Sequence, residues 1–271
     1  MRLRFSRGVI TITIIVIVLA VVVSFGLYQL LKRATPLAVP DAYCAVNTPV
    51  GDLNLDIEQA QIAATIAAVA ARRKLPERAV VIAYATAIQE SKLSNVNYGD
   101  RDSVGVFQQR ASQGWGTKKQ IMDPVYATNR FFAALVKVKG YRKMPVADAA
   151  QAVQRSAAGY AYGPHQANAE ILAAAFTGRV PKALHCWYPP EGSAAPRPRT
   201  GEARRRLTRA LGSATITGPR RGWLIAAWWV AHAQEYDLRR VAYSGATWSN
   251  DMRLDGWQPG GKAGTKEVEL A

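Results

Sequence analysis

Residues 8–31 form one unbroken run without a charge, in which Thr11, Thr13, Ser24, Tyr28 and Gln29 are the only polar side chains. A helix of about 20 such residues, rising ~1.5 Å each, matches the hydrocarbon thickness of a bilayer, so this pattern predicts a single transmembrane anchor. Arg2, Arg4 and Arg7 precede it. They favour a cytoplasmic amino-terminal end (1–7), with everything beyond the anchor on the far side of the membrane. A cleaved signal peptide is the competing reading. Against it, the run exceeds the ~7–15 residues of a signal core, and no small-x-small site follows.

Past the anchor the pattern changes. Residues 32–55 include Pro36 and Pro40, which discourage helix, and read as an extended linker. From Asp56 onward Ile57, Ala60, Ala64, Ala67 and Ala71 recur at spacings of three and four, the signature of a helix with one apolar face. Pro76 opens a second helix that runs to Ser91. Residues 92–122, with Gly99, Gly105, Gly114 and Gly116, read as loop and short strands. Asp123-Pro124 pairs a capping acid with a first-turn proline and starts a helix carrying Phe131, Phe132, Leu135 and Val138, stopped at Gly140. Further helices are expected from Pro145 to about 157 and from Gln166 to Phe176. The expectation is a mainly α domain over 56–187 and a proline-rich hinge at 188–201. A small α/β domain then covers 202–259, with helices near 202–211 and 221–237, a β-like stretch at 214–217 and a strand at 240–243. The tail, 260–271, is expected to be disordered.

Charge narrows the partners. The chain carries 35 Lys and Arg against 19 Asp and Glu. Five of the basic residues and no acid lie within 1–40, which leaves the remainder at +11. Such an excess attracts anionic polymers. Outside a membrane these are wall glycopolymers or lipid head groups, and nucleic acid is not expected. The two cysteines, Cys44 and Cys186, both follow the anchor, and an even pair in an oxidising compartment predicts a disulfide; two buried thiols are the alternative. His165, His185 and His232 show no ligand spacing, so neither a metal site nor an organic cofactor is expected.

The residue that stands out is Glu90. On the predicted helix it shares a stripe with Ala83 and Ala87 and leaves the carboxy-terminal turn at the edge of the core. Cleaving a glycosidic bond needs an acid placed in this way. A lone glutamate at a helix end is more often an ordinary surface residue, so its neighbours decide. Gln89-Glu90-Ser91, then the run from Gly99 through Gly105-Val106-Phe107-Gln108 to Arg110, resemble the lysozyme-like superfamily of lytic transglycosylases and goose-type lysozymes. Ser112-Gln113-Gly114-Trp115-Gly116 and Ile121-Met122-Asp123-Pro124 look like the form this domain takes in actinobacterial wall proteins. The resemblance covers about 57–178.

That resemblance implies a lysozyme-like α+β fold, with Glu90 as general acid/base and Ser91 and Gln108 in the saccharide groove. It also implies a late-domain tyrosine near the acid. Ala158-Gly159-Tyr160-Ala161-Tyr162-Gly163 matches that turn loosely and offers Tyr162 first and Tyr160 second, although core packing accounts for either. Trp115 either stacks on a sugar face or packs. A hydrolase would need a second carboxylate, for which Asp100 and Asp102 are the candidates, whereas a transglycosylase needs Glu90 alone. Turn formation also explains both aspartates. The expected activity is cleavage of the β-1,4 bond between N-acetylmuramic acid and N-acetylglucosamine in peptidoglycan. Two alternatives are a non-catalytic wall-binding or scaffolding protein and a wall-remodelling subunit of a conjugation or secretion apparatus. Trp223, Trp228, Trp229, Trp248 and Trp257 are expected to be core residues rather than a carbohydrate platform.

Overall fold

The structure, a computed structural model, describes residues 7–33, 41–155, 159–189, 197–251, 256–260 and 263–271. The chain forms two units, Met1–Asp41 and Ala42–Ala271. The first holds one helix, α1 (Arg7–Arg33). Its stretch Thr11–Gln29 is long and apolar enough to cross a membrane, and Ile14, Val18, Val22 and Phe25 are exposed along it. A helix that is apolar all round suits a bilayer better than water. This is the character of a single-pass membrane protein.

The second unit opens with a hairpin, β1 (Tyr43–Thr48) and β2 (Gly51–Leu55). The linker expected over 32–55 is thus corrected for residues 43–55. The prolines that discouraged helix lie before the hairpin, and Cys44 and Val46 are buried in alternation with less buried neighbours, as a half-buried strand requires. β5 (Leu184–Trp187) pairs antiparallel with β1, giving the order β2-β1-β5. In that register Cys44 faces Cys186, and the two are joined by the expected disulfide across 142 positions of sequence. Closing so long a loop stabilises by up to about 5 kcal/mol on a chain-entropy basis.

Helices α2 (Ile57–Arg72), α3 (Glu77–Ser91), α5 (Pro124–Leu135), α6 (Val146–Gln154) and α7 (Gln166–Phe176) follow the predicted order. Local chemistry explains the starts of α2 and α5. The Asp56 N–H donates to Gln59 Oε1 (2.9 Å), and Asp123 Oδ1 accepts from the N–H groups of Val125 and Tyr126 (3.0 and 3.2 Å). Between α3 and α5 lie β3 (Ser103–Val104), β4 (Gln109–Arg110) and a 3-10 turn, Ala111–Gln113. The same region holds α4 (Lys118–Ile121), a short helix absent from the sequence reading and nucleated by a Thr117/Gln120 capping box.

Beyond β5 come α8 (Thr200–Leu211) and α9 (Pro219–Ala231). They are followed by β6 (Arg240–Tyr243), β7 (Ala246–Ser249), β8 (Gln258–Pro259) and β9 (Glu269–Leu270), in the sheet order β8-β7-β6-β9. Residues 202–259 were expected to stand apart as a domain, yet they belong to the same compact unit as 56–187. The reason is α2. Its residues Ile62 to Ala70 are all buried, because α3, α5 and α7 cover one side while α8 and α9 cover another. Small alanines let these neighbours approach closely.

The join is polar as well as apolar. Trp248 Nε1 donates to Cys186 O (3.1 Å), Trp257 Nε1 to Leu184 O (2.9 Å) and the Tyr188 N–H to Asn250 Oδ1 (3.0 Å). The expected hinge therefore begins as a fastened segment, while its residues 190–196 lie outside those described. Residues 214–217 form no strand. The tail expected to be disordered ends in β9, which pairs with β6, and the Ala271 carbonyl accepts from the N–H groups of Arg239 and Arg240 (2.7 and 2.8 Å). Among the described residues this unit is mainly helical with three small sheets.

Candidate active site

The last turn of α3 carries Gln89, Glu90 and Ser91, and the chain then reverses sharply. Lys92 and Leu93 both adopt left-handed backbone (φ 56° and 62°), and their N–H groups return to Ile88 O (2.9 Å) and Ala87 O (3.1 Å). This is the pattern that closes a helix by satisfying its last carbonyls. Leu93 is buried beneath the turn, so the helix end is pinned rather than frayed.

A glycine-led loop is laid across that end. Ser91 Oγ donates to Val106 O (2.8 Å), and the Gly105 N–H donates to Val96 O (2.6 Å). Gly105 has φ +78°, and a Cβ there would sit 2.9 Å from Ile121 O, so both backbone angle and space demand glycine. Phe107 is fully buried and stacks on Phe131 with ring centroids 4.5 Å apart. Its carbonyl thereby faces a fixed direction and accepts from Gln154 Nε2 (2.8 Å).

Glu90 is half-buried, and two separate elements hold its carboxyl. Tyr162, in a 3-10 helix at Gly159–His165 and only 1% exposed, donates its hydroxyl to Glu90 Oε1 (2.7 Å). Gln154, the last residue of α6, donates from Nε2 to the same oxygen (3.1 Å). Oε1 thus has both lone pairs occupied, so a proton on this carboxyl resides on Oε2, for which no partner occurs among the described residues. One oxygen is oriented by the protein and the other is not.

The other predicted residues fall around this centre in different ways. Ser91 ties the loop to the helix. Gln108 is half-buried with φ +46°, and its Nε2 donates to Tyr98 O (3.2 Å) and Gly105 O (3.3 Å), which holds the loop against Gly99. Trp115 packs against the edge of the core and also lines an open groove. The side chain of Tyr160 lies outside the described residues.

Asp102 accepts from the Ser112 N–H (2.8 Å), the Ser112 hydroxyl (2.9 Å) and Arg110 Nε (2.7 Å). The Ser112 N–H above all, and then the Arg110 guanidinium, hold its carboxyl well below the usual carboxylate range. Asp100 is exposed: its carboxylate lies 3.9 Å from Arg101, and its backbone carbonyl accepts from the Ser103 N–H (3.0 Å). Neither aspartate hydrogen-bonds Glu90.

Gln154 was not foreseen. In sequence it is one glutamine following the buried Val153, and only the packing of α6 against α3 reveals its partner. His165 lies within 2.9 Å of Gln89 Oε1, and His232 stacks on Trp228 at 3.8 Å. No protein-family model matches the chain, and no curated protein matches it.

Proposed function

We propose that the protein is a membrane-anchored, peptidoglycan-cleaving glycosidase of lytic transglycosylase type, with residues 42–271 on the extracytoplasmic side and Glu90 as its single acid/base. The observation that carries this reading is the double hold on Glu90 Oε1 by Tyr162 and Gln154. Two elements distant in sequence converge on one carboxyl oxygen of α3, an arrangement that a merely surface glutamate would not need. In this reading Oε2–H protonates the glycosidic oxygen between N-acetylmuramic acid and N-acetylglucosamine, and the C1–O bond breaks to leave positive charge on the muramyl ring. Glu90, now a carboxylate, takes the proton from the C6 hydroxyl of the same sugar. That oxygen closes on C1 to give a 1,6-anhydro end, and no water is consumed. The commitment of Asp102 to Ser112 and Arg110 favours this chemistry over one that needs a second carboxylate.

The test is Glu90→Gln, which keeps shape and removes the titratable proton. Glycan cleavage should fall by at least about 10²–10⁴-fold while the fold and wall binding persist. Mass spectrometry of wild-type products should find anhydro-muramyl ends. Reducing ends would replace the transglycosylase chemistry with hydrolysis, and a wild-type chain that binds wall without cutting it would leave a scaffolding protein.

A further inference from the structure

Beside Glu90, the exposed side of α5 and the end of α6 enclose an open groove of about 880 Å³. Trp115 forms one wall, Gln154 connects the groove to the Glu90 carboxyl, and Arg130, Lys137 and Arg155 are the charged members of an otherwise neutral lining. The lining contains no Asp or Glu. Several arginines elsewhere on the same unit do meet acids. Arg110 is paired with Asp102, Arg179 with Glu77, Arg209 with Asp123 and Arg199 with Asp237. Among the described residues none of the three groove cations meets a carboxylate. Arg130 instead gives Nη2 to Gly114 O (2.9 Å), which fixes its guanidinium at the rim. At its far end the groove shares Val138 with a second hollow, lined by Lys139, Arg142 and Lys143. Cations gathered in a concavity without counter-charges repel one another and focus a positive field, and an anionic ligand relieves both.

We propose that this groove is an anion subsite for the glycan presented to Glu90, taking a carboxylate or phosphate carried as a side group on the strand. The proposal rests on the catalytic reading for its substrate and adds a preference to it. Strands with acidic side groups are held, and neutral strands of the same sugars are held less well. The two possible sources of the anion, peptide carboxylates and phosphate esters, share the chemistry that Arg and Lys recognise.

The test uses the full-length chain carrying Glu90→Gln, so that no probe is consumed. Three probes are compared: glycan strands bearing peptides with free carboxylates, peptide-free strands bearing phosphate, and neutral chito-oligosaccharides. At low salt at least one anionic probe should bind about tenfold more tightly than the neutral one, as two or three exposed ion pairs would give, and the gap should shrink at high salt. Which anionic probe wins identifies the source. Adding Lys137→Gln and Arg155→Gln, both at exposed positions, should erase the gap and leave neutral binding unchanged. Arg130→Lys, which retains charge, should keep most of it.

Equal binding of all three probes overturns the subsite, as does a preference that survives the double substitution. Cleavage by the otherwise unaltered chain is scored separately. Cutting without preference removes the subsite and leaves the catalytic reading, whereas a preference that the double substitution abolishes, without any cutting, does the reverse.

Discussion

Glu90 and His232 are both titratable groups set against aromatic side chains near the ends of helices, yet their surroundings differ in kind. His232 is buried, its ring stacks on Trp228, and its Nδ1 bonds the carbonyl of the same residue, four positions back (2.9 Å). Trp228 also meets Trp229 edge-on at 5.0 Å, and Tyr236 stacks beyond. The histidine's hydrogen bond is local and its ring is sealed. Glu90 is half-buried and held by residues 64 and 72 positions away, with one oxygen left over. A group whose bonds all arise near its own place in the chain is part of the packing. A group oriented from distant elements, with one carboxyl oxygen unpartnered among the described residues, is available to something outside the protein. By this criterion the tryptophan-rich end is core, as its sequence suggested, and the α3 end is the candidate site.

Substitution can break or sharpen this contrast. The largest effect expected is the loss of cleavage in Glu90→Gln, accompanied by a shift in melting temperature of no more than a few degrees. A large loss of stability there would make Glu90 another packing residue. Trp228→Ala should do the opposite. Truncating a fully buried indole costs about 3–5 kcal/mol, measurable by denaturant unfolding, while activity per folded molecule stays near that of the parent.

The third effect depends on pH. Burial pushes the His232 imidazole down to about 3, so the folded protein refuses a proton that the unfolded chain accepts below about 6.5. Its contribution is fully present above that pH and is lost as pH falls toward the folded value. Between pH 6.5 and 4.5, before most carboxylates titrate, unfolding free energy should drop by about 2–3 kcal/mol. His232→Phe should flatten this slope. An unchanged slope would mean that the histidine is not sealed.

The smallest effect is expected for Tyr162→Phe. It removes one neutral-donor bond to Glu90 and should slow cleavage by about tenfold, worth roughly 1–1.5 kcal/mol, with little change in KM. Equal rates would make the tyrosine a packing residue after all.

Much of this was legible in the chain, and what was not has identifiable causes. Helix periodicity and capping residues are local signals, so α2, α3, α5 and α7 could be read directly, with Asp56 and Asp123 at their starts. The hairpin at 43–55 was hidden because short strands carry little periodicity and nearby prolines suggested a linker, although Cys44 and Val46 already alternated. β5 is buried at every position, and its pairing with β1 spans 142 residues, so only the cysteine pair hinted at it. The unity of residues 42–271 was hidden for a similar reason, since the proline-rich composition of 188–201 resembles a hinge whether or not α2 is shared. The resemblance pointed to Glu90, Ser91, Gln108 and Tyr162, and of these Tyr162 does meet Glu90. Gln154 has no motif, and its role depends on where α6 ends.

The bond between Cys44 and Cys186 has one further consequence. It turns residues 44–186 into a covalent ring that contains Glu90, Gln108, Gln154 and Tyr162, while α8, α9 and the last sheet hang outside it. A protease that cuts one peptide bond within the ring, such as in the exposed stretch near Tyr98, opens the circle without making two fragments. The membrane-borne end and the carboxy-terminal end remain a single molecule until the disulfide is reduced. After a single nick, the parts around Glu90 therefore stay tethered to one another, whereas after a cut beyond residue 186 only non-covalent packing on α2 and β5 holds the tail to the ring.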